Sequence, residues 1–448
     1  MTIMWQSDTG TSSTLFWGTS TAYEHQVNVP AYGNDKQFRY TITGLNPGTK
    51  YYYKVRLGSR EKTGSFYTAP PLSAGDVSFY VYGDTRSHPD VQNNVTGRIL
   101  TEMANDTASQ TLCVLTGDLV SRGRTEQDWD NQFFNSQYPN NETLKSLVPF
   151  VIARGNHENY NGSYSSGNAT LFYKYWPYGY ASGSTDGDDM YFSFDYGPVH
   201  IAVLDQYDNG TWRPGRISTA QLRWLQNDLA ASGKPWKFVV LHEPGWSARS
   251  TSRRSSRSLL SEHSNNTDVQ NNIQPLCVQY GVQAVFGGHN HYYAHTLVDS
   301  IHHFTLGGGG ASLYQPSYTS GGVIVYAEAT YHFMKVSIRG DSAVLRVIRP
   351  DGSLVETIRL HTSITAVGED LASKLRIYPN PANGTLHVEW GSRRPVRLQL
   401  VDLTGRKVWM QYLTAKSTVL NVGDFKHGLY ILRLHSGPYV LTRKIILH

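Results

Sequence analysis

The 448-residue sequence is poor in cysteine, in charged residues and in long hydrophobic runs. Its two cysteines, Cys113 and Cys277, lie in apolar runs (TLCVL and QPLCVQYG), so we expect buried, unpaired thiols, with one disulfide as the alternative. No apolar run reaches the roughly 18 residues of a membrane-spanning helix, so we expect no membrane span. The net charge of +5 suits an anionic substrate, and no nucleic-acid partner is expected.

The first ten residues, MTIMWQSDTG, lack the basic and then apolar organisation of a signal peptide. Their composition is typical of the interior of a β-strand. We therefore expect that the natural chain begins upstream of Met1.

Length and composition predict three globular domains that are rich in β-structure. A typical domain of about 150 residues gives about three domains for this length. The 30 tyrosines and 41 glycines favour sheets over helical bundles or disorder.

Residues 1–70 alternate apolar and polar side chains with the period of two that β-strands show, for example at Phe38, Tyr40 and Ile42. The pattern predicts a small antiparallel β-sandwich. The spacing Leu45-x-Pro47-Gly48-x-x-Tyr51 resembles a fibronectin type III domain, whose corner tyrosine ties a loop back to the strand. The segment TAPPLSAG (68–75) is expected to be a linker.

From residue 76 to about 360, predicted strands alternate with predicted helices, as in an α/β domain. A stripe at Val91, Val95, Ile99 and Met103 predicts one helix. A second helix is expected from Ser218, an N-cap, to Ser232. We therefore expect a central α/β domain, a β-sandwich with flanking helices. The arginine-rich segment 247–258 is interpreted as a loop.

Polar clusters directly follow apolar strands of this region, and glycine precedes most of them. Ligands in α/β sheets gather at the carboxyl ends of strands, and five such ends predict one shared site. The strand ends and the side chains that follow them are VSFYVY with Asp84, LCVLT with Asp118, VPFVIA with Asn156 and His157, KFVVL with His242, and VQAVF with His289 and His291.

The side chains at these ends have the chemistry of metal ligands. Two aspartates, one asparagine and three histidines offer hard oxygens and imidazole nitrogens, enough for two ions rather than one. Two metals about 3.5–4 Å apart hold a phosphoryl group and acidify a bound water. We therefore interpret Asn156 as a metal ligand and the neighbouring His157 as a group that handles protons beside the substrate.

The motif order GD, GD, GNHE, a lone His after a strand, and GHxH resembles the calcineurin-like metallophosphoesterase superfamily. The segments YFSFDYGPVHIAVLD, QLRWLQNDL and GGGGASLY, with the fibronectin-like first domain, resemble its purple acid phosphatase branch in the bacterial form. The resemblance covers roughly residues 1–360. It implies a dinuclear centre of Fe, Zn or Mn that hydrolyses small phosphate monoesters by in-line attack of a metal-bound hydroxide.

The resemblance also implies a role for each matching residue. Asp84 and His291 would hold the first metal, Asp118 would bridge, and the second metal would be held by Asn156, His242 and His289. His157 would stabilise the transferring phosphoryl group and help to protonate the leaving alkoxide. A further family histidine is matched best by His263, and Glu158 is interpreted as a residue that orients its neighbours.

Two positions depart from the family pattern. Purple acid phosphatases place a tyrosinate three residues after the bridging aspartate, where this chain has Ser121. Other branches place a histidine two residues after the first aspartate, where this chain has Arg86. The first metal would then have three protein ligands, with water or another group completing it. Arg86 is predicted to bind the substrate phosphate.

The last block, residues 374–448, predicts a second small β-sandwich. YPNPANGTLHV, VDLTGRKV, HGLYILRL and KIIL, in that order, resemble the C-terminal sorting domain of type IX secretion. The resemblance implies handling by the type IX secretion machinery and a secreted or cell-surface protein. The three predicted domains are thus 1–70, 76–360 and 374–448.

Two other functions remain open at this point. One is a phosphodiesterase or nucleotide hydrolase with the same metal centre. The other is a surface binding protein without activity, whose metal site is vestigial.

The serine at position 121 generates a spectroscopic prediction. Protein loaded with ferric iron should lack the visible tyrosinate charge-transfer band, because no tyrosine stands at the ligand position. An absorption spectrum, recorded on a sample whose bound iron has been measured, tests this. A purple, iron-replete sample would contradict it.

Overall fold

The protein is described by a computed structural model with sheet-rich architecture and few helices. The described residues are 1–33, 35–160, 170–176, 190–207, 215–248, 264–318, 321–362, 374–391, 396–402, 406–413, 415–436 and 439–448. His263 and residues 249–258 of the arginine-rich segment lie outside these ranges.

The first six strands form two antiparallel sheets around a small apolar core. They are β1 (Thr2–Gln6), β2 (Ser12–Gly18), β3 (His25–Pro30), β4 (Gln37–Thr41), β5 (Lys50–Leu57) and β6 (Arg60–Tyr67). One sheet pairs β1 with β4, and the other has the order β3-β2-β5-β6. The predicted corner tyrosine is confirmed, because the Tyr51 hydroxyl accepts a hydrogen bond of 3.2 Å from the Asn46 N–H.

The central region contains thirteen strands among the described residues. They are β7 (Asp76–Tyr82), β8 (Cys113–Leu115), β9 (Phe150–Ile152), β10 (Phe192–Tyr196), β11 (Val199–Val203), β12 (Trp236–Val240), β13 (Ala284–Gly287), β14 (Tyr293–Val298), β15 (Ile301–Leu306), β16 (Ile324–Glu328), β17 (Phe333–Arg339), β18 (Ser342–Ile348) and β19 (Leu354–His361). Their orders are β19-β18-β17-β7-β8-β9 in one sheet and β10-β11-β12-β13-β15-β14-β16 in the other.

The two central sheets pack face to face through one continuous apolar core. Phe79 of β7 and Phe238 of β12 meet across it, with ring centroids 6.0 Å apart. Because strands such as β7 are buried on both faces, they appear in the sequence as unbroken apolar runs rather than as alternating ones. This core confirms the predicted central sandwich.

Helices flank the sheets. They are α1 (Pro89–Asn105), α2 (Glu126–Asp128), α3 (Pro139–Leu147), α4 (Thr170–Tyr175), α5 (Thr219–Ala231) and α6 (Gln274–Tyr280), with 3₁₀ turns at Thr107–Ser109 and His157–Asn159 and π-helical turns at Trp129–Phe133 and Val269–Ile273. The stripe predicted for α1 is buried at Val95, Ile99 and Met103.

Helix α5 begins as predicted, with Ser218 as its N-cap. The Ser218 hydroxyl accepts a hydrogen bond from the Gln221 N–H. The Gln221 side-chain amide bonds the backbone of Asp205 through both its oxygen and its nitrogen. The glutamine therefore links the helix to the end of β11.

Strand direction brings the predicted site residues to one edge. Strands β7, β8 and β9 run parallel to one another. Strands β12 and β13 run parallel in the facing sheet. Parallel neighbours end at the same edge of a sheet, so the segments that follow these five strands meet there.

The last seven strands form a separate pair of antiparallel sheets, β20-β21-β24 and β23-β22-β25-β26. They are β20 (Arg376–Tyr378), β21 (Thr385–Glu389), β22 (Val396–Asp402), β23 (Lys407–Leu413), β24 (Ser417–Asn421), β25 (Gly428–Ser436) and β26 (Tyr439–Leu447). Fully buried Trp390 lies in their common core. The small all-β regions at both ends agree with the predicted fold class.

The structure bears on the predictions for the two cysteines and for membrane spans. Cys113 and Cys277 are both buried and free, as predicted. Within the described ranges, no helix has the length and apolar character to cross a bilayer.

Candidate metal centre

Six side chains that the sequence places after strands converge between the two central sheets. They are Asp84 after β7, Asp118 after β8, Asn156 after β9, His242 after β12, and His289 and His291 after β13. Each is at most 9% exposed. A cluster of polar groups this deeply buried requires partners, because water cannot solvate it.

Three of these residues have a backbone conformation that side-chain-bearing residues rarely adopt. The φ angles of Asp84, Asp118 and His289 are +55°, +56° and +65°. Such conformations cost about 1–3 kcal/mol each and cluster at functional sites. Hydrogen bonds hold these turns in place, since the Asp84 N–H donates to the Gly117 carbonyl and the Gly288 N–H donates to the His242 carbonyl.

One group of donor atoms, which we call the second position, is formed by Asn156, His242, His289 and one oxygen of Asp118. The His242 Nδ1–H donates to the Thr116 carbonyl (2.7 Å), which leaves a lone pair on Nε2. This Nε2 lies 3.0 Å from Asn156 Oδ1, 3.3 Å from His289 Nδ1 and 3.3 Å from Asp118 Oδ1. Burial lowers the pKa of His242, which favours its neutral form.

The chemistry of the second position fits a metal ion. His242 Nε2 and Asn156 Oδ1 face each other at 3.0 Å, and neither atom carries a hydrogen. Tetrahedral ligands at about 2.0–2.1 Å from a zinc ion lie roughly 3.3–3.4 Å apart, close to the spacings found here. A cation among these atoms would replace their mutual repulsion with attraction.

A second group, the first position, is formed by Asp84, Asp118 and His291, whose ligand atoms lie within 4.8 Å of one another. The His291 Nδ1–H donates to the Ser312 carbonyl (2.8 Å), and Nε2 lies 3.6 Å from Asp84 Oδ1. Burial, and then the charge of Asp118, raise the pKa of Asp84 well above its usual value. Two carboxylates this close favour a cation between them.

Arg86 already places a positive charge at the first position. Its Nη2 lies 3.2 Å from His291 Nε2, and its Nε lies 3.4 Å from Asp118 Oδ2. The side chain is only 16% exposed. Burial would raise the pKa of Asp118, but its electrostatic interactions with His242, His157 and Arg86 outweigh burial and lower that pKa.

His157 lies beside the two positions rather than inside either of them. Its Nδ1–H donates to the Ser121 carbonyl (2.6 Å), and its Nε2 lies 3.8 Å from Asp118 Oδ2. The side chain is 15% exposed, more than that of Asp118. Nε2 can therefore exchange a proton with a group that enters from solvent.

Glu158 organises the turns that carry the donors, as the sequence analysis expected. The fully buried carboxylate accepts hydrogen bonds from the N–H groups of Asp118, Leu119 and Gly155, at 3.0, 2.8 and 2.7 Å. Burial, and then the charge of Asp118, raise the pKa of Glu158 to about 7. The carboxylate thus joins the turn after β8 to the turn after β9.

Sequence reasoning missed the parts of the site that come from the glycine run at 307–310. This run packs on the turn that carries Asp84, where the Gly309 N–H donates to the Gly83 carbonyl. A Cβ on Gly309 would lie 2.3 Å from that same oxygen. Just beyond the run, Ser312 accepts the His291 Nδ1–H and Tyr314 stacks on the His291 ring at 4.3 Å. Four consecutive glycines after a strand were the available signal.

The structure therefore brings together all six residues predicted as metal ligands, with Arg86 and His157 next to them. The roles of these residues stay predictions. The prediction for His263 falls outside the described residues.

Three family models match the chain in succession. Residues 77–293 match "Calcineurin-like phosphoesterase", residues 1–68 match "Purple acid Phosphatase, N-terminal domain", and residues 376–448 match "Secretion system C-terminal sorting domain". The sorting domain indicates a secreted or cell-surface protein.

Among curated proteins, purple acid phosphatase 21 of Arabidopsis thaliana is 30% identical over 62% of this chain and 56% of its own length. Purple acid phosphatase 18 of the same plant is 26% identical over 64% of this chain and 58% of its own length. The chain thus spans a little over half the length of these relatives.

Solved structures share the fold. A purple acid phosphatase from yellow lupin (Lupinus luteus) seeds matches with a TM-score of 0.62 at 18% identity, over 80% of this chain and 72% of its own. The structure of PhoD matches with a TM-score of 0.57 at 15% identity, over 80% of this chain and 85% of its own.

Glu158 generates a prediction about metal affinity. In Glu158→Gln, an NH₂ group would replace one of the two oxygens that accept from backbone N–H groups, so the turns after β8 and β9 should lose their fixed spacing. We expect the affinity for Zn²⁺ to fall about 10- to 100-fold, as for other residues that orient metal ligands. Calorimetric titration of metal-free protein measures this.

The matched control is Glu102→Gln on α1, which also removes a buried carboxylate but one paired with Arg98 and Arg346. Zinc affinity should be unchanged in the control. Equal affinity in Glu158→Gln and in the unaltered protein would show that Glu158 does not organise the centre.

Proposed function

We propose that this chain, whose central region is a calcineurin-like phosphoesterase domain between a purple acid phosphatase N-terminal domain and a secretion sorting domain, is a secreted metal-dependent phosphatase. Its substrates would be small phosphate monoesters. The observation that carries the proposal is the convergence of buried carboxylate, amide and imidazole donor atoms, several of them 3.0–3.3 Å from one another. Such a set has little use without a cation.

The two donor groups would hold two ions. Asn156, His242 and His289 would bind one, Asp84 and His291 the other, and Asp118 faces both groups. Imidazole with oxygen donors suits Fe, Zn or Mn. Ions bound there would neutralise phosphoryl charge and lower the pKa of a bound water.

The chain's own side chains would orient the substrate and move protons. The Arg86 guanidinium has the planar donor geometry that phosphate oxygens accept. His157 keeps Nδ1–H on the Ser121 carbonyl, so its ring orientation is fixed and Nε2 is the atom that would hold the proton for the leaving oxygen. The 15% exposure of the His157 side chain supports contact with a substrate that enters from solvent.

We also propose the division into domains 1–70, 76–360 and 374–448. Each range contains sheets whose strands pair within that range, which supports the division. The last domain would be recognised by the type IX secretion machinery.

Hydrolysis of two model esters tests the proposed activity. Metal-loaded protein should hydrolyse p-nitrophenyl phosphate faster than bis(p-nitrophenyl) phosphate. Asp118→Asn should lose at least about 10²-fold in kcat/KM, because the one side chain that faces both positions loses its charge. A faster diester would favour a phosphodiesterase. No turnover in a broad phosphoester panel with metal bound would favour the binding protein.

His157 generates a separate prediction. His157→Ala should lower kcat about 10²- to 10⁴-fold, since the group that moves the proton is gone. The amount of bound metal, measured by elemental analysis, should not change. His361→Ala, at the end of β19, is the control and should alter neither quantity. Loss of metal from His157→Ala would make His157 a ligand instead.

A further inference from the structure

The Arg86 guanidinium contacts His291 Nε2, the nitrogen that would bind a metal at the first position. Because the His291 Nδ1–H is donated to Ser312, Nε2 is the ring atom with a lone pair, and the Arg86 Nη2–H lies 3.2 Å from it. An arginine donor and a metal ion cannot share one lone pair. Metal binding by His291 therefore requires the guanidinium to move.

The two carboxylate oxygens of Asp118 face different positions. Its Oδ1 faces His242 Nε2 of the second position at 3.3 Å. Its Oδ2 faces Arg86 Nε at 3.4 Å. Oδ1 also accepts a 2.9 Å hydrogen bond from the backbone N–H of His157. A metal at the second position would therefore share Oδ1 with an uncharged donor, whereas the oxygen directed to the first position already has the guanidinium beside it.

The guanidinium is held at this place by chain geometry as well as by charge. Arg86 follows the left-handed Asp84, and the Arg86 N–H donates to the Asp118 carbonyl at 3.3 Å. Its Nη1 donates to the Ser87 hydroxyl at 3.3 Å. An arginine keeps its charge at any physiological pH, so it cannot yield the position by losing a proton.

We propose that Arg86 competes with the metal ion for the first position, so that the two positions fill in separate steps. The second position fills first. The first position fills only at higher metal concentration, after the guanidinium has left His291 and Asp118. This inference rests on the metal centre of the proposed function and specifies how that centre is loaded.

The singly loaded centre would still carry enough positive charge for a phosphate. A divalent ion and the guanidinium contribute three positive charges, against two negative charges from Asp84 and Asp118. Arg86 would then serve as the second cation in the centre at low metal concentration. At high concentration it would be released to face the substrate.

Manganese titration of metal-free protein tests the competition. The unaltered protein should bind Mn²⁺ in two steps whose dissociation constants differ by about 10- to 100-fold or more, as expected for binding against a neighbouring cation. In Arg86→Gln, which keeps a planar polar group without charge, the weaker step should tighten until the steps merge. Calorimetry gives the constants, and the electron paramagnetic resonance signal of a coupled manganese pair reports when both positions are filled.

Two further variants complete the design. Arg86→Lys retains the charge and should keep the steps separate. Arg98→Gln removes an arginine of α1 that pairs with Glu102, and should leave both steps unchanged. Circular dichroism shows whether each variant is folded. Two equal steps in the unaltered protein, or an unchanged separation in Arg86→Gln, would overturn the inference.

The same samples separate this inference from the proposed function. Two-step loading without hydrolysis of any phosphoester would support the competition and overturn the phosphatase. Hydrolysis with one-step loading would do the reverse.

Discussion

The structure depends on the burial of two carboxylates, Asp84 and Asp118, at one edge of two packed sheets. Their charges repel, and burial removes the water that would screen them. Arg86 offsets this repulsion with a permanent positive charge. Three imidazoles and an amide direct further donor atoms towards the two carboxylates. A cluster of buried carboxylates and donor atoms of this kind favours cation binding.

The backbone around these groups adopts strained conformations that hold them together. Left-handed turns at Asp84, Asp118 and His289 turn the chain sharply just after each strand. Backbone hydrogen bonds from the ends of neighbouring strands and from the glycine run at 307–310 keep these turns in place. The Glu158 carboxylate joins the turn at Asp118 to the turn after β9. The site is rigid because the sheets on either side are packed through a common apolar core.

The two donor groups differ in their spacing and in the charged group beside them. At the second position the donor spacings already resemble those around a metal. At the first position the Arg86 guanidinium lies beside His291 and Asp118, two of the three predicted ligands. Arg86 and Ser121 are the two residues of this position that depart from the family pattern.

The sequence by itself determined the class of the fold, the order of the three regions and the six polar side chains that converge after the strands. Apolar runs that end in Gly-Asp, Gly-Asn-His, a lone histidine or Gly-His-Asn-His can be recognised within a short segment of the chain. Only the tertiary structure decided which oxygen of Asp118 faces which position, that Ser312 and Tyr314 fix His291, and where the Arg86 side chain lies. These depend on contacts between segments up to 205 residues apart, such as Arg86 with His291. Chain-local patterns contain no information about such distances, since strand pairing and sheet packing create them.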